Sequence, residues 1–206
     1  LTREEVEALL AAPDRTTWSG RRDHVLLLLA VQTGLRLSEI TGLRAADVRL
    51  GTGAHVHVLG KGRKERCTPL AKQTQAVLRS WMSRDLGPEP AILFPSARGS
   101  RLSADGVQYL VAKHVATAGR ACPSMTRKRV TPHVLRHTTA MELLQAGVDR
   151  SVIAMWLGHE SLETTQIYLD ADLTLKERVL DKVAPPSVQA RRYRPEDKLM
   201  AFLSAL

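Results

Sequence analysis

The sequence predicts a mainly α-helical domain with one small antiparallel β-sheet, an α+β fold class. Over most of the chain, apolar residues recur at the three- and four-residue spacing of amphipathic helices. Between Val48 and Leu70 the pattern changes to β-favouring residues interrupted by glycine turns. The chain has 206 residues, of which 44% are hydrophobic, so it can bury one sizeable core.

The first 43 residues predict three helices. Thr2 and Glu5 form a capping box, which begins a helix that Pro13-Asp14 closes. A second helix is expected from about Arg22 to Thr33, where the glycine that follows can stop it. Leu37–Leu43 is expected to form a short helical turn.

The middle of the chain predicts the sheet. Strands around Val48 to Leu50 and His55 to Leu59 are separated by Gly51-Thr52-Gly53, which favours an antiparallel pair. Gly60-Lys61-Gly62 is a turn, after which Glu65–Leu70 can return as a third strand that ends at its proline.

The rest of the chain predicts helices separated by proline and glycine breaks. Ile92–Pro95 is interpreted as a short buried segment and Gly119–Arg129 as a basic loop. Thr131-Pro132 is an N-cap followed by proline at the first helical position. The expected helices are Ala71–Leu86, Ser103–Ala118, Thr131–Gln145, Val152–Leu157 (capped by Asp149), Ser161–Leu169, Leu173–Val183 and Pro195–Leu206.

The pattern predicts one domain over residues 1–184 and a C-terminal tail over residues 185–206. The longest apolar run, Val25–Val31, is far shorter than the roughly 20 residues of a membrane helix, and the first residues lack the order of a signal peptide. Two cysteines make no disulfide framework, so a cytoplasmic location is expected. Two Phe, three Trp and three Tyr are too few for a protein that binds single strands by stacking.

The chain is basic, with a formal net charge of +9. The basic residues cluster in residues 61–66, 127–129 and 191–194. One interpretation is a soluble basic enzyme. The other is a nucleic-acid partner, because Lys and Arg displace condensed counterions from the phosphate backbone.

The segment from Thr131 to His137 carries the most informative side chains. His133 and Arg136 are three residues apart, so they share a face near a helix N-terminus, which itself favours an anion. These groups suit a phosphate. A zinc helix is the competing interpretation of His133 and His137, but Val134 stands where that motif needs Glu. A structural role for both histidines and the arginine remains open.

Four further residues stand at places suited to a site. Arg36 lies between two predicted helices, Lys61 in the strand turn, and His159 in a tight interhelical turn nine residues before Tyr168. Each has a plain structural explanation, such as pairing of Arg36 with Glu39. Those explanations do not account for their occurrence together and in this order.

The segments TGLRLSEI, LGKGRKER, TPHVLRHTTA and LGHESLETTQIYL resemble the four signature segments of the tyrosine recombinases, the phage-integrase and Xer-type family. The resemblance covers about Leu1 to Leu180 and implies the catalytic-domain fold of that family, which is similar to type IB topoisomerases. Carried over by position, the catalytic residues are Arg36, Lys61, His133, Arg136, His159 and Tyr168.

The resemblance implies a site-specific recombinase or integrase, an enzyme of DNA recombination and of mobile elements. Tyr168 would attack the phosphodiester to give a 3′-phosphotyrosyl intermediate, with His133 assisting removal of its proton. Lys61 would protonate the departing 5′ oxygen. Arg36 and Arg136 would clamp the non-bridging oxygens.

His159 would donate a further hydrogen bond to the same phosphate. No metal and no cofactor is expected, because two guanidinium groups neutralise the phosphate. The expected partner is double-stranded DNA with specific recombination sites, bound by a tetramer. Further DNA contacts are expected from the basic clusters, at Arg63, Lys64, Arg127, Lys128 and Arg129.

The family usually carries a separate helical DNA-binding domain ahead of the catalytic one. Because this sequence starts at the catalytic domain, it is expected to be either a fragment or an unusually minimal member of the family. The apolar helix at 195–206 is expected to dock on a neighbouring protomer, with folding back on its own domain as the alternative. Leu143–Leu157 resembles a helix-turn-helix, so a transcriptional regulator is an alternative function, as is a type IB topoisomerase-like enzyme.

Overall fold

Seven α-helices and one three-stranded sheet form the described part of the computed structural model, residues 1–60, 65–86 and 92–158. Two short 3₁₀ helices, Ala45–Asp47 and Pro123–Arg127, accompany them. In chain order the elements are α1 (Arg3–Ala11), α2 (Trp18–Thr33), α3 (Leu37–Gly42), β1 (Val48–Arg49), β2 (His55–Leu59), β3 (Glu65–Pro69), α4 (Lys72–Arg84), α5 (Ala104–Ala121), α6 (Pro132–Gln145) and α7 (Arg150–Leu157). The predicted mainly helical fold with a small antiparallel sheet is confirmed.

Helix α2 is the centre of the main core. Its apolar run is buried on nearly every side, as a helix that is hydrophobic all round requires. Helices α1, α4 and α6 pack against it. Leu93 and Phe94 are fully buried in the same core, as expected for the short segment that contains them.

The sheet has the order β1-β2-β3 and is antiparallel throughout. Along β2, the buried residues Val56 and Val58 alternate with the half-buried His55 and His57, so one face of the sheet covers the core. The partner of Val58 on β3 is Arg66, which is therefore a charged residue on the buried face.

A second, smaller core joins the end of α6 to α7. It consists of Ala140, Leu143, Val148, Ile153, Trp156 and Leu157. The indole N–H of Trp156 donates to the carbonyl of Thr33, 3.1 Å away, and this hydrogen bond links α7 to the C-terminal end of α2.

Several predicted boundaries were wrong, among them the end of α4, which is Arg84 rather than Leu86. Helix α2 begins at Trp18 rather than Arg22, because the side chain of Thr17 accepts from the backbone N–H of Gly20 and caps an earlier turn. The first strand is only Val48–Arg49, without Leu50, and α7 begins at Arg150 rather than Val152, directly after its cap.

Helix α5 continues to Ala121 rather than Ala118, and a 3₁₀ helix forms in the predicted loop. The reason is packing at Gly119, where a Cβ would lie 2.9 Å from Cγ2 of Thr126. This glycine allows the 3₁₀ helix to approach α5 closely, so it does not end the helix. The described helices include none whose length and apolar character would suit a membrane span.

The predicted helices Ser161–Leu169, Leu173–Val183 and Pro195–Leu206 lie outside the described residues, as does the whole tail over 185–206.

Candidate active site

Arg36 is placed by the junction between α2 and α3. Gly34 ends α2 in the left-handed conformation (φ 63°), and a Cβ there would lie 2.6 Å from Cδ2 of Leu157, so the sharp turn needs glycine. Arg36 is the N-cap of α3, and its backbone N–H donates to Oε2 of Glu39 at 2.7 Å. Its side chain remains one-third exposed.

The guanidinium of Arg36 has two partners among the described residues. Nη1 donates to Oε1 of Glu39 at 3.3 Å, and Nη2 donates to the carbonyl of Gly158 at 2.9 Å. The carbonyl of Gly158 belongs to the C-cap of α7. Arg36 therefore connects the start of α3 to the end of α7.

His133 and Arg136 lie in the first turns of α6, as predicted. The hydroxyl of Thr131 accepts from the backbone N–H of Val134, and Pro132 is the first helical residue. Arg136 is buried, and its guanidinium donates to two main-chain carbonyls, Gly34 O at 2.6 Å and Leu157 O at 2.8 Å. It therefore joins the C-terminal ends of α2 and α7.

The carbonyls that hold these arginines lie at helix C-termini. Unpaired carbonyls there carry partial negative charge, which favours cations. Gly34, Leu157 and Gly158 thus act as an uncharged cradle for Arg36 and Arg136. A cradle without formal charge orients the guanidinium groups but leaves their positive charge intact.

Glu39 is the carboxylate of the site, and Arg66 is its second partner. Arg66 reaches it from β3 with two parallel bonds, Nη1 to Oε1 at 2.8 Å and Nη2 to Oε2 at 2.7 Å. Both side chains are buried. The sequence analysis treated Arg66 only as part of a basic cluster. The signal that could have found it is its inward-facing position on β3, where a charged residue needs a specific partner.

Three guanidinium groups and one carboxylate make up what we call the arginine cluster (Arg36, Arg66, Arg136 and Glu39). The formal charges of these four side chains sum to +2. Burial lowers the pKa of Arg136 to about 10, with further lowering from the positive charges of Arg36 and Arg66. Burial alone would raise the pKa of Glu39, but the hydrogen bonds and charge of Arg66, and then Arg36, hold it below its usual value. The cluster is thus suited to an anion.

His133 lies beside His137, with ring centroids 4.6 Å apart in an edge-to-face arrangement. The pKa of His137 is lowered by burial and then by the neighbouring His133 and Arg136. In the described ranges, no three His, Cys, Asp or Glu residues come together in a way that could hold a metal ion.

The predicted DNA contacts at 127–129 are exposed at the end of the second 3₁₀ helix. Lys128 is already engaged, because its Nζ lies 2.7 Å from Oε1 of the buried Glu5. Burial alone would raise the pKa of Glu5, but hydrogen bonds from Lys128, Ser124 and the backbone of Thr2 outweigh it and lower the pKa to about 2.

The structure brings together three of the six predicted catalytic residues, Arg36, His133 and Arg136, around the ends of α2, α6 and α7. The others, Lys61, His159 and Tyr168, lie outside the described residues, as do the predicted DNA contacts Arg63 and Lys64.

Comparison with known proteins gives a family match. Residues 1–174 match the family described as "Phage integrase family". The chain is 65% identical over its whole length to the provisionally named integrase/recombinase y4rC of Sinorhizobium fredii (strain NBRC 101917 / NGR234), of which it covers 62%. It is 34% identical, over 92% of its length, to tyrosine recombinase XerC of Chlamydia trachomatis (serovar L2, strain ATCC VR-902B / DSM 19102 / 434/Bu), of which it covers 59%.

Among solved structures, the chain is similar to the XerH site-specific recombinase bound to difH substrate in a pre-cleavage complex, with a TM-score of 0.67 and 27% identity. That match covers 83% of this chain and 52% of the other. The chain spans roughly three fifths of the length of each of the two curated relatives named above, 62% and 59%.

Proposed function

This chain belongs to the phage integrase family, and on that premise we propose that it is the catalytic domain of a site-specific tyrosine recombinase. The reaction would cut and rejoin double-stranded DNA through a covalent 3′-phosphotyrosyl intermediate, without metal or ATP. The observation that carries this proposal is the meeting of Arg36 and Arg136 at the ends of α2 and α7 with net positive charge.

The two guanidinium groups suit a phosphodiester in its transition state. Negative charge grows on the non-bridging oxygens as a fifth oxygen approaches phosphorus. Guanidinium groups already oriented by main-chain carbonyls stabilise that charge without reorganising during the reaction. A compact cluster of fixed cations thus does what a divalent metal ion does in other phosphoryl-transfer enzymes.

The remaining steps are assigned to residues by resemblance. The hydroxyl oxygen of Tyr168 attacks phosphorus while its proton passes to His133, and the bond from phosphorus to the 5′ oxygen breaks. Lys61 gives a proton to that oxygen, which leaves as a hydroxyl group. His159 donates a hydrogen bond to the phosphate. Rejoining is the reverse reaction with a new 5′ hydroxyl, so no external energy source is required.

The net charge of +9 supports double-stranded DNA as the partner. Arg63, Lys64, Arg127 and Arg129 are proposed phosphate contacts, and Lys128 would have to exchange Glu5 for a phosphate to join them. Four such domains would act together on paired recombination sites, with the tail over 195–206 docking on a neighbouring protomer. The cytoplasm is the proposed location.

The two alternative functions are less well supported. A helix-turn-helix regulator would use α7 to read the major groove. Helix α7 instead buries Ile153, Trp156 and Leu157, and its C-terminal carbonyls hold the two arginines of the site. A type IB topoisomerase-like enzyme would share the chemistry, and it would relax supercoiled DNA rather than exchange strands.

The test is covalent trapping on nicked DNA. The probe is a pool of end-labelled duplexes of random sequence, nicked so that the short 5′-hydroxyl fragment diffuses away after cleavage and the adduct cannot be religated. We expect an SDS-resistant adduct with the wild-type chain and none with Tyr168→Phe, which loses the nucleophile but keeps the ring. A labelled adduct with Tyr168→Phe, or none with the wild-type chain, would contradict the proposal.

A further inference from the structure

Arg66 lies inside the candidate active site but has no part in the reaction proposed above. It is buried on the inner face of the sheet, with 7% of its surface exposed, opposite Val58. Its hydrogen bonds are to Glu39, which is also buried. A group in this position acts on a phosphate only through its neighbours.

The carboxylate of Glu39 is shared unequally between two guanidinium groups. Arg66 binds it with two parallel bonds of 2.7 and 2.8 Å, whereas the guanidinium of Arg36 makes one contact of 3.3 Å. Paired short bonds between arginine and carboxylate are the strongest arrangement of these two groups. The charge of Glu39 is therefore directed mainly at Arg66, and Arg36 is held only weakly by it.

Arg66 also contacts the main chain that holds the other side of Arg36. A Cβ added to Gly158 would lie 2.8 Å from Nη1 and 2.9 Å from Cζ of Arg66, so the guanidinium packs directly against this glycine. The carbonyl of Gly158 accepts from Nη2 of Arg36. Arg66 thus touches both groups that orient Arg36 in the described part of the chain.

We propose that Arg66 is a positioning residue. It binds Glu39 and supports Gly158, so that the Arg36 guanidinium stays oriented toward a phosphate and its positive charge is not paired with Glu39. Without Arg66, the carboxylate of Glu39 would be left buried with the guanidinium of Arg36 as its remaining hydrogen-bonding cation among the described residues. The Glu39 carboxylate would then form the paired bonds with Arg36 and draw the Arg36 guanidinium away from the DNA phosphate. The inference rests on the proposed function.

Stability alone is a weak reason for this ion pair. Burying two charges costs free energy that their attraction only partly returns. In addition, Nε of Arg66 is buried with no hydrogen-bond partner among the described residues, a further cost of desolvation. An apolar pair of the same volume would fill the space at least as well, so the arrangement favours a role in the site.

The first part of the test measures the rate of adduct formation with the nicked duplex pool described above. We expect Arg66→Gln to slow it about 100-fold, the effect of losing one preorganised donor. The matched control is Arg21→Gln, because Arg21 also makes several short bonds to one carboxylate, that of Asp85, and lies about 20 Å from Gly34 along α2. The control is expected to keep the wild-type rate.

The second part separates positioning from a merely structural role. In Arg66→Gln, adding Glu39→Gln removes the carboxylate that would capture Arg36, while the glutamine oxygen can still cap α3. We expect the double variant to react about 10-fold faster than Arg66→Gln. If Arg66→Gln slowed the reaction by disturbing the packing of the site, the double variant would react at the same rate as Arg66→Gln or more slowly. Should Arg66→Gln not fold, Arg66→Lys, which cannot form the paired bonds, takes its place in the same comparison with and without Glu39→Gln.

The outcomes separate the inference from the function it rests on. A wild-type adduct that Arg66→Gln forms equally fast would overturn the inference and leave the proposed function standing. A double variant no faster than the single one would do the same. A wild-type chain that forms no adduct would overturn the proposed function and the inference with it.

Discussion

The guanidinium of Arg136 donates to the carbonyl oxygen of Gly34, 2.6 Å away and 102 residues apart in sequence. The same side chain donates to Leu157, so one residue of α6 closes the C-terminal ends of two other helices. An arginine proposed to bind DNA phosphate is thus also part of the framework that shapes its own site.

Arg136→Lys is expected to lower both stability and activity. A lysine is a single point donor and cannot bridge both carbonyls in the way a guanidinium does. Losing one or two charge-assisted bonds should cost about 3 kcal/mol and lower the melting temperature by about 6–12 °C. The rate of adduct formation should fall at least 100-fold.

Circular dichroism melting and the trapping assay check this prediction. The matched control is Arg79→Lys, an exposed arginine on α4, which should change neither quantity. If Arg136→Lys melts and reacts like the control, the bridging role assigned to Arg136 is wrong.

Lys61→Ala should slow cleavage of ordinary DNA but not of DNA with sulfur in place of the bridging 5′ oxygen. A thiolate leaves without a proton, so losing the general acid no longer matters. The measurement compares adduct formation on the two substrates. Equal impairment on both would assign the acid to another residue, and Lys64→Ala is the next variant to compare.

The ion pair between Glu5 and Lys128 should make stability depend on acid pH. The pKa of Glu5 is about 2 in the folded chain against 4.5 for an ordinary glutamate. A carboxyl with a lowered pKa stabilises the folded state fully above pH 4.5 and loses this contribution as the pH falls toward 2. The difference corresponds to at most about 3 kcal/mol, shared among Lys128, Ser124 and the backbone of Thr2 and reduced by solvent screening of the half-exposed Lys128.

Urea unfolding of the wild-type chain and Lys128→Gln between pH 7 and pH 2 measures the part of this contribution that Lys128 supplies. The free energies of unfolding of the two should differ most at neutral pH and converge at the acid end. Lys113→Gln, at an exposed position on α5, serves as the control. A constant difference at every pH would show that Lys128 acts through packing rather than charge.

Deleting residues 195–206 should leave the domain folded but impair the joining of two recombination sites. Burial of a few large apolar side chains from this segment on a neighbour would supply roughly 5 kcal/mol before ordering costs, enough to couple protomers on DNA. Adduct formation per protomer should persist while strand exchange is lost. A deleted chain that unfolds or aggregates as a monomer would place the segment in its own core.

The element types and most of their order could be predicted from the sequence, because caps and periodicity are local. Thr2, Ser103 and Thr131 cap their helices as expected, and the third strand ends at Pro69. The boundary error at Ala121 occurred where packing against the 3₁₀ helix extended α5 past Gly119. The error at Trp18 has a local cause, the cap by Thr17, which the apolar periodicity does not show.

The sequence by itself determined the family and the identity of Arg36, His133 and Arg136 as site candidates, since signature segments preserve residue type and order. Only the tertiary structure decided what holds them. The acceptors of Arg136 are main-chain carbonyls, which have no side-chain signature, and Lys128 proved to be the partner of Glu5. Arg66 looks in sequence like any other residue of a basic cluster, and its proposed role depends on the strand register that turns it inward onto Glu39.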